Sequence, residues 1–140
     1  MTKITLTKKR GEFLTSLKGL FSVLHIKGKT FSLAVTHNIL VLKEALSGYL
    51  FDNPSEDYKV LLMEFKSIVD SDADDIEAQV QAIKDNNPEI MAAREAQLQQ
   101  LEQDLEVELT IEFEAISQDV LTEEITAEKL LSIQEFILEE

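Results

Sequence analysis

Apolar residues change their spacing along this chain, and each change predicts an element. Lys3-Ile4-Thr5-Leu6-Thr7 alternates polar and apolar, the period of a half-buried strand. From Lys8 the spacing turns helical. Phe13, Leu14, Leu17, Leu20, Phe21 and Leu24 share one face, Thr7 is placed to cap the helix, and Gly11 and Gly19 weaken it. Lys27-Gly28-Lys29 breaks the pattern. Phe31, Val35, Ile39, Leu42, Leu46, Tyr49 and Leu50 then mark a second helix, whose Ile39-Leu40-Val41-Leu42 run is apolar nearly all round and is expected at the centre of the core.

Asp52-Asn53-Pro54-Ser55 ends that element and offers Asn53 or Ser55 as the next cap. Tyr58, Leu61, Leu62, Phe65, Ile68 and Val69 predict an amphipathic helix. The acidic stretch from Asp70 to Asp75 opens a weaker helix on Ile76, Val80 and Ile83, and Asn87-Pro88-Glu89 starts another through Leu98, Leu101 and Leu105. At 106–114, "EVELTIEFE", the period returns to two. Val107, Leu109, Ile111 and Phe113 face one way, and Glu106, Glu108, Glu112 and Glu114 face the other with Thr110. Thr126 begins a C-terminal helix with Leu130, Ile133, Phe136 and Ile137 inward. The expected fold is α+β, mainly α, with helices packed on a small two-stranded sheet of strands near 3–7 and 106–114. Length and the lack of a long linker predict one domain over 1–140.

Charge sharpens this picture. The formal net charge is -14, yet residues 1–43 hold eight Lys or Arg against Glu12 alone, while the rest holds five against 26 acids. Either a basic surface lies beside a larger acidic one, or the two ends neutralise each other in the fold. The first case makes Lys8, Lys9, Arg10, Lys27 and Lys29 candidate partner contacts, and the outward glutamates of the second strand their acidic counterparts. The excess of acid argues against direct binding of nucleic acid. No cysteine is present, which removes disulfides and thiolate zinc sites and fits a reducing compartment such as the cytoplasm. The segment behind Lys8-Lys9-Arg10 is interrupted by Glu12, Thr15, Ser16 and Lys18 and does not read as a signal peptide. No apolar run approaches the roughly 18 residues of a membrane helix.

Three motifs imitate chemistry. "HIKGKTF" (His25 to Phe31) ends like a phosphate-binding loop, but the first glycine of G-x-x-x-x-G-K-[ST] would stand at 23, where the chain has Val23. Val60-Leu61-Leu62-Met63-Glu64 looks like the accompanying magnesium strand, yet sits in a helical period. Gly28 is better placed to let the chain turn between helices. Asp70, Asp72 and Asp74 resemble the opening of a calcium loop, which needs glycine at its sixth position and glutamate at its twelfth. Here those are Asp75 and Gln81, so acids at a helix start are the simpler reading. His25 and His37 form no His-x-x-x-His pair, and Ser47-Gly48 lacks the glycine before a nucleophile elbow. No catalytic residue, metal site or cofactor is expected.

The segments "ITLTKKRGEFLTSLKGL" (Ile4 to Leu20), "KGK" (Lys27 to Lys29), "VELTIEF" (Val107 to Phe113) and "LTEEITAEKLLSIQEFI" (Leu121 to Ile137) resemble a family of small uncharacterised proteins encoded by tailed bacteriophages, many infecting Gram-positive hosts. Leu33-Ala34-Val35 departs from the basic residue that many of those proteins carry after this point. The resemblance implies a phage or prophage origin, action in the host cytoplasm, and no catalytic residues. With the charge and motif readings, it leads to the expectation of a non-enzymatic protein that binds a host, defence or phage complex as a modulator or inhibitor. The alternatives are a virion structural or assembly component, which would form a homo-oligomer, and an acidic mimic of nucleic acid.

Overall fold

The computed structural model describes residues 2–71 and 74–138. Its element order is β1 (Lys3–Lys9), α1 (Arg10–Ser22), α2 (Lys29–Ala45), α3 (Glu56–Asp70), α4 (Ile76–Asn86), α5 (Pro88–Leu105), β2 (Glu108–Glu114) and α6 (Ala127–Ile133), with short 3-10 turns at 118–120 and 134–136. The fold is α+β and mainly helical, as the spacing predicts. Its contacts group into two compact units, residues 1–50 with 104–140 and residues 51–103.

In the first unit β1 and β2 pair antiparallel, Ile4 opposite Phe113 and Leu6 opposite Ile111. Alternation puts those apolar side chains on one face, and α1, α2 and α6 pack in the same unit. Phe113 sits between Phe13, at 6.0 Å between ring centroids, and Phe136, at 5.0 Å and nearly edge-on. Leu17, Leu20, Val23, Ile26, Phe31, Val35, Leu42 and Ile133 complete a buried core. Asn38 is fully buried in α2 among them. Its side-chain amide donates to the Glu114 carbonyl and its side-chain oxygen accepts from the Glu114 N–H, both at 2.9 Å. Both polar atoms of the buried Asn38 side chain are thereby matched.

Several boundaries differ from those expected. β1 continues through Lys8 and Lys9, because the ladder carries Lys8 opposite Leu109 and Lys9 opposite Glu108, so the helix starts at Arg10 and Thr7 does not cap it. Lysine has no acceptor with which to cap, and Glu12 Oε1 instead accepts from the Lys9 N–H at 3.1 Å. β2 begins at Glu108, leaving Glu106 and Val107 in the bend that follows α5. Phe21 and Leu24 are exposed rather than inward, and Leu40 is 61% exposed, so the Ile39–Leu42 run lies against the core on one side only. Gly28 does serve as the turn: it precedes α2 with φ of +130°, a conformation L side chains rarely adopt. Val60 to Glu64 are helical, in α3.

The second unit contains α3 and α4 and most of α5. Ser55 caps α3, its hydroxyl accepting from the Tyr58 N–H at 3.2 Å. Asp70 is the last residue of α3, and Asp75 stands at the N-cap of α4, so the weaker helix on Ile76, Val80 and Ile83 forms where the acidic stretch ends. Asp72 of the calcium-like motif lies outside the described residues. Among the described residues no cluster of three or more His, Asp or Glu is placed to hold a metal ion.

Candidate functional site

The basic residues of the first third divide into two sets. Lys3 lies 3.8 Å from Glu114 and Lys9 2.7 Å from Glu106. The Lys9 ammonium is held above its ordinary pKa, first by the hydrogen bond to Glu106 and then by that carboxylate's charge, with Glu12 and Glu108 adding to the field. Arg10 donates to the Asp104 carbonyl at 2.6 Å and stacks 4.3 Å above the Tyr49 ring. Lys8 donates to Ser16 Oγ at 2.5 Å and pairs with Glu135. Lys3, Lys8 and Lys9 are thus spent on acids far along the chain, in keeping with the neutralisation reading of the charge asymmetry, and Arg10 on a main-chain carbonyl. Lys27 and Lys29 are exposed beside Gly28 and make no ion pair among the described residues.

The glutamates divide in the same way. Glu106 and Glu114 are paired, and Glu114 also lies 3.9 Å from His37 Nδ1. Glu108 and Glu112 project from the outer sheet face beside Lys9 and Thr5. Lysines thus interleave with acids there, and the face carries paired charge rather than a phosphate-like row.

Lys8, Ser16 and Glu135 form a constellation that sequence spacing does not show, since the acid is 119 residues from the serine. A serine activated by lysine needs a neutral amine as base. Here Glu135 accepts from both the ammonium and the Ser16 hydroxyl, and Ser16 is only 4% exposed. The cluster ties β1 and α1 to the C-terminal turn.

The other unpaired chemistry is apolar. In the second unit Leu61, at 3% exposure, is the one buried apolar residue among the described residues. Tyr58, Phe65 and Ile68 of the expected stripe are half-buried, but Leu62 and Val69, expected on that stripe, are exposed, as are Val60 and Met63, the last at 74%. Phe51, just before the helix, is 85% exposed. Arg94 of α5 fixes the start of this unit by a two-pronged ion pair to Asp52, at 3.0 and 2.5 Å, and lies 4.9 Å from the Tyr58 ring centre. The pair lowers the Asp52 pKa and raises that of Arg94, in each case chiefly through the hydrogen bond to the other. Beside it an open cleft of about 480 Å³ is lined by Tyr58, Met91, Ala92, Arg94 and Leu98. The spacing of Val60 and Met63, off the Tyr58–Leu61–Phe65–Ile68 stripe, is the sequence signal for this exposed surface. Among the described residues no helix is long and apolar enough to cross a membrane.

No protein-family model matches the sequence, and neither the curated proteins nor the solved structures contain a match to it.

Proposed function

We propose that this chain is a small acidic, non-enzymatic protein of phage type that works in the host cytoplasm by protein–protein contact, as a modulator or inhibitor of a host or bacterial-defence complex. The observation that carries the contact reading is the solvent-facing apolar set of the second unit, Phe51, Val60, Met63 and Val69, around a unit whose own core is slight. Val60 and Met63 lie one turn apart on α3, and neighbouring exposed apolar side chains mark interaction surfaces more often than isolated ones do; aromatic and methionine side chains are enriched at interfaces. The phage origin rests on the sequence resemblance. Affinity capture from host and infected cells with the natural chain and with Met63→Glu tests the reading. One protein recovered at stoichiometric yield by the former and lost by the latter supports it, and recovery of virion proteins alone assigns the chain to assembly instead.

A further inference from the structure

The two edges of the sheet are finished differently. Bonds flanking the ladder, Ala115 N–H to the Thr2 carbonyl at 3.0 Å and Arg10 N–H to the Val107 carbonyl at 2.9 Å, continue the register in which Ile4 faces Phe113. Antiparallel partners alternate between bonded and non-bonded pairs. The main-chain groups of Ile4, Leu6 and Lys8 therefore point at β2, and those of Lys3, Thr5, Thr7 and Lys9 point away from it. On β2 the outward groups are those of Glu108, Thr110, Glu112 and Glu114; Asn38 of α2, which packs beside this strand, fills those of Glu114, and no described residue bonds those of the other three. Just beyond, Ile116 donates to the Phe136 carbonyl at 2.7 Å and accepts from the Leu138 N–H at 2.8 Å, which closes that end.

The β1 edge has no such closure. Glu12 takes the Lys9 N–H, but no described residue bonds the outward groups of Lys3, Thr5 or Thr7. Edge lysines commonly guard an open strand, yet Lys3 and Lys9 are drawn across to Glu114 and Glu106. Alongside the strand lies an open cleft of about 650 Å³ lined by Ile4, Leu131, Gln134, Glu135, Ile137 and Leu138. A second cleft, at Lys8 and Ser16, shares Leu131 and Glu135 with it. Leu131 is 71% exposed and lines both clefts, with Ile4 of β1 in the first and Lys8 in the second.

We propose that the open edge of β1 takes an extended segment of a protein partner as a third strand, a segment alternating apolar and acidic residues. The inference rests on the reading of this chain as one that works by protein contact, and places a binding site on a different unit from the α3 surface. Main-chain bonds to Thr5 and Thr7 hold the segment, its apolar residues lie beside Ile4 and Leu6 near Leu131, and its acids meet the open sides of the Lys3 and Lys9 side chains, which stay 45% and 48% exposed beside Glu114 and Glu106. The charge pattern follows from what β1 already accepts on its other edge, where Glu114 and Glu108 stand opposite those same lysines. A second copy of β1 fits less well: centred antiparallel on Leu6, it would set Lys3 against Lys9.

The peptide Glu106–Glu114 of this chain, added to the full-length protein, is the probe, and amide exchange followed by NMR is the readout. Thr5 and Thr7 amides exchange readily in the free protein and slow by at least about tenfold with peptide, while the Leu6 amide is protected in both. Thr5→Pro removes an outward donor and leaves the β2 ladder intact, so it weakens peptide binding about tenfold with unchanged far-UV circular dichroism. Leu131→Glu, in the lining of both clefts, gives the same loss without touching the strand. No added protection at Thr5 and Thr7 at saturating peptide overturns the proposal, as does unaltered affinity in both variants. A free protein that sediments as a dimer and becomes a monomer on Thr5→Pro also overturns it, in favour of a second copy. Each result is independent of the Met63→Glu capture, so either site can fail alone.

Discussion

Asn38→Ala strikes the side chain that, among the described residues, joins α2 to the sheet by hydrogen bonds. The substitution removes both 2.9 Å bonds to Glu114 and leaves a main-chain N–H and carbonyl without their partner. A buried polar group left unsatisfied costs about 1–3 kcal/mol. Glu114 is half-buried, so water reaches it in part, and the lower end of that range applies to each group. The sum is about 2–3 kcal/mol. With a urea slope of about 2 kcal/mol per molar, the midpoint falls by about 1–1.5 M. Urea titration by circular dichroism measures the loss, and hydrogen exchange at the Glu114 amide assigns it to the first unit. Asn38→Asp should be no better, because an ionised carboxylate still accepts from the Glu114 N–H but has no hydrogen for its carbonyl. A loss under about 0.5 kcal/mol with the Glu114 amide still protected would refute the reasoning.

Two further outcomes follow from single contacts. A Cβ at Gly19 would overlap the Ser132 carbonyl oxygen of α6. Gly19→Ala therefore destabilises the first unit: overpacking of about 1–3 kcal/mol outweighs the roughly 0.5–1 kcal/mol that alanine gains in a helix, and an unchanged melting temperature would show that α6 does not cross there. Asp52 has its folded-state pKa lowered by Arg94, so its contribution is present above the ordinary carboxylate value of 3.8 and is lost as pH falls through the depressed folded value. The stability difference between the natural chain and Asp52→Asn should accordingly be constant near neutrality and shrink only in acid. A difference that shrinks between pH 8 and 6 would contradict the assignment.

The spacing of apolar residues made most of the elements legible, because one buried face imposes a period of 2 or 3.6 on any chain. Ser55, Thr126 and Gly28 were readable for the same local reason: each has a side chain, or lacks one, in the way its position demands. What the sequence hid is long-range. Lys8 and Lys9 look like the start of a basic helix, but strand pairing with Leu109 and Glu108 extends β1 through both. Their partners Glu135 and Glu106 lie about a hundred residues away, so a basic patch in sequence became a set of internal ion pairs in space. Leu40 was misplaced because an apolar run carries no direction once most of its neighbours are apolar. Of the expected contact residues Lys27 and Lys29 stay exposed and make no ion pair among the described residues, whereas Lys8, Arg10 and Glu114 hold the fold together.

The central claim is that the chain acts by contact with another protein, and paired affinity capture with the natural chain and Met63→Glu tests it most directly. The account predicts one host or defence protein at stoichiometric yield with the natural chain, lost with the variant while its circular dichroism spectrum is unchanged. No stoichiometric partner from either host or infected cells, or equal recovery by both forms, would contradict it.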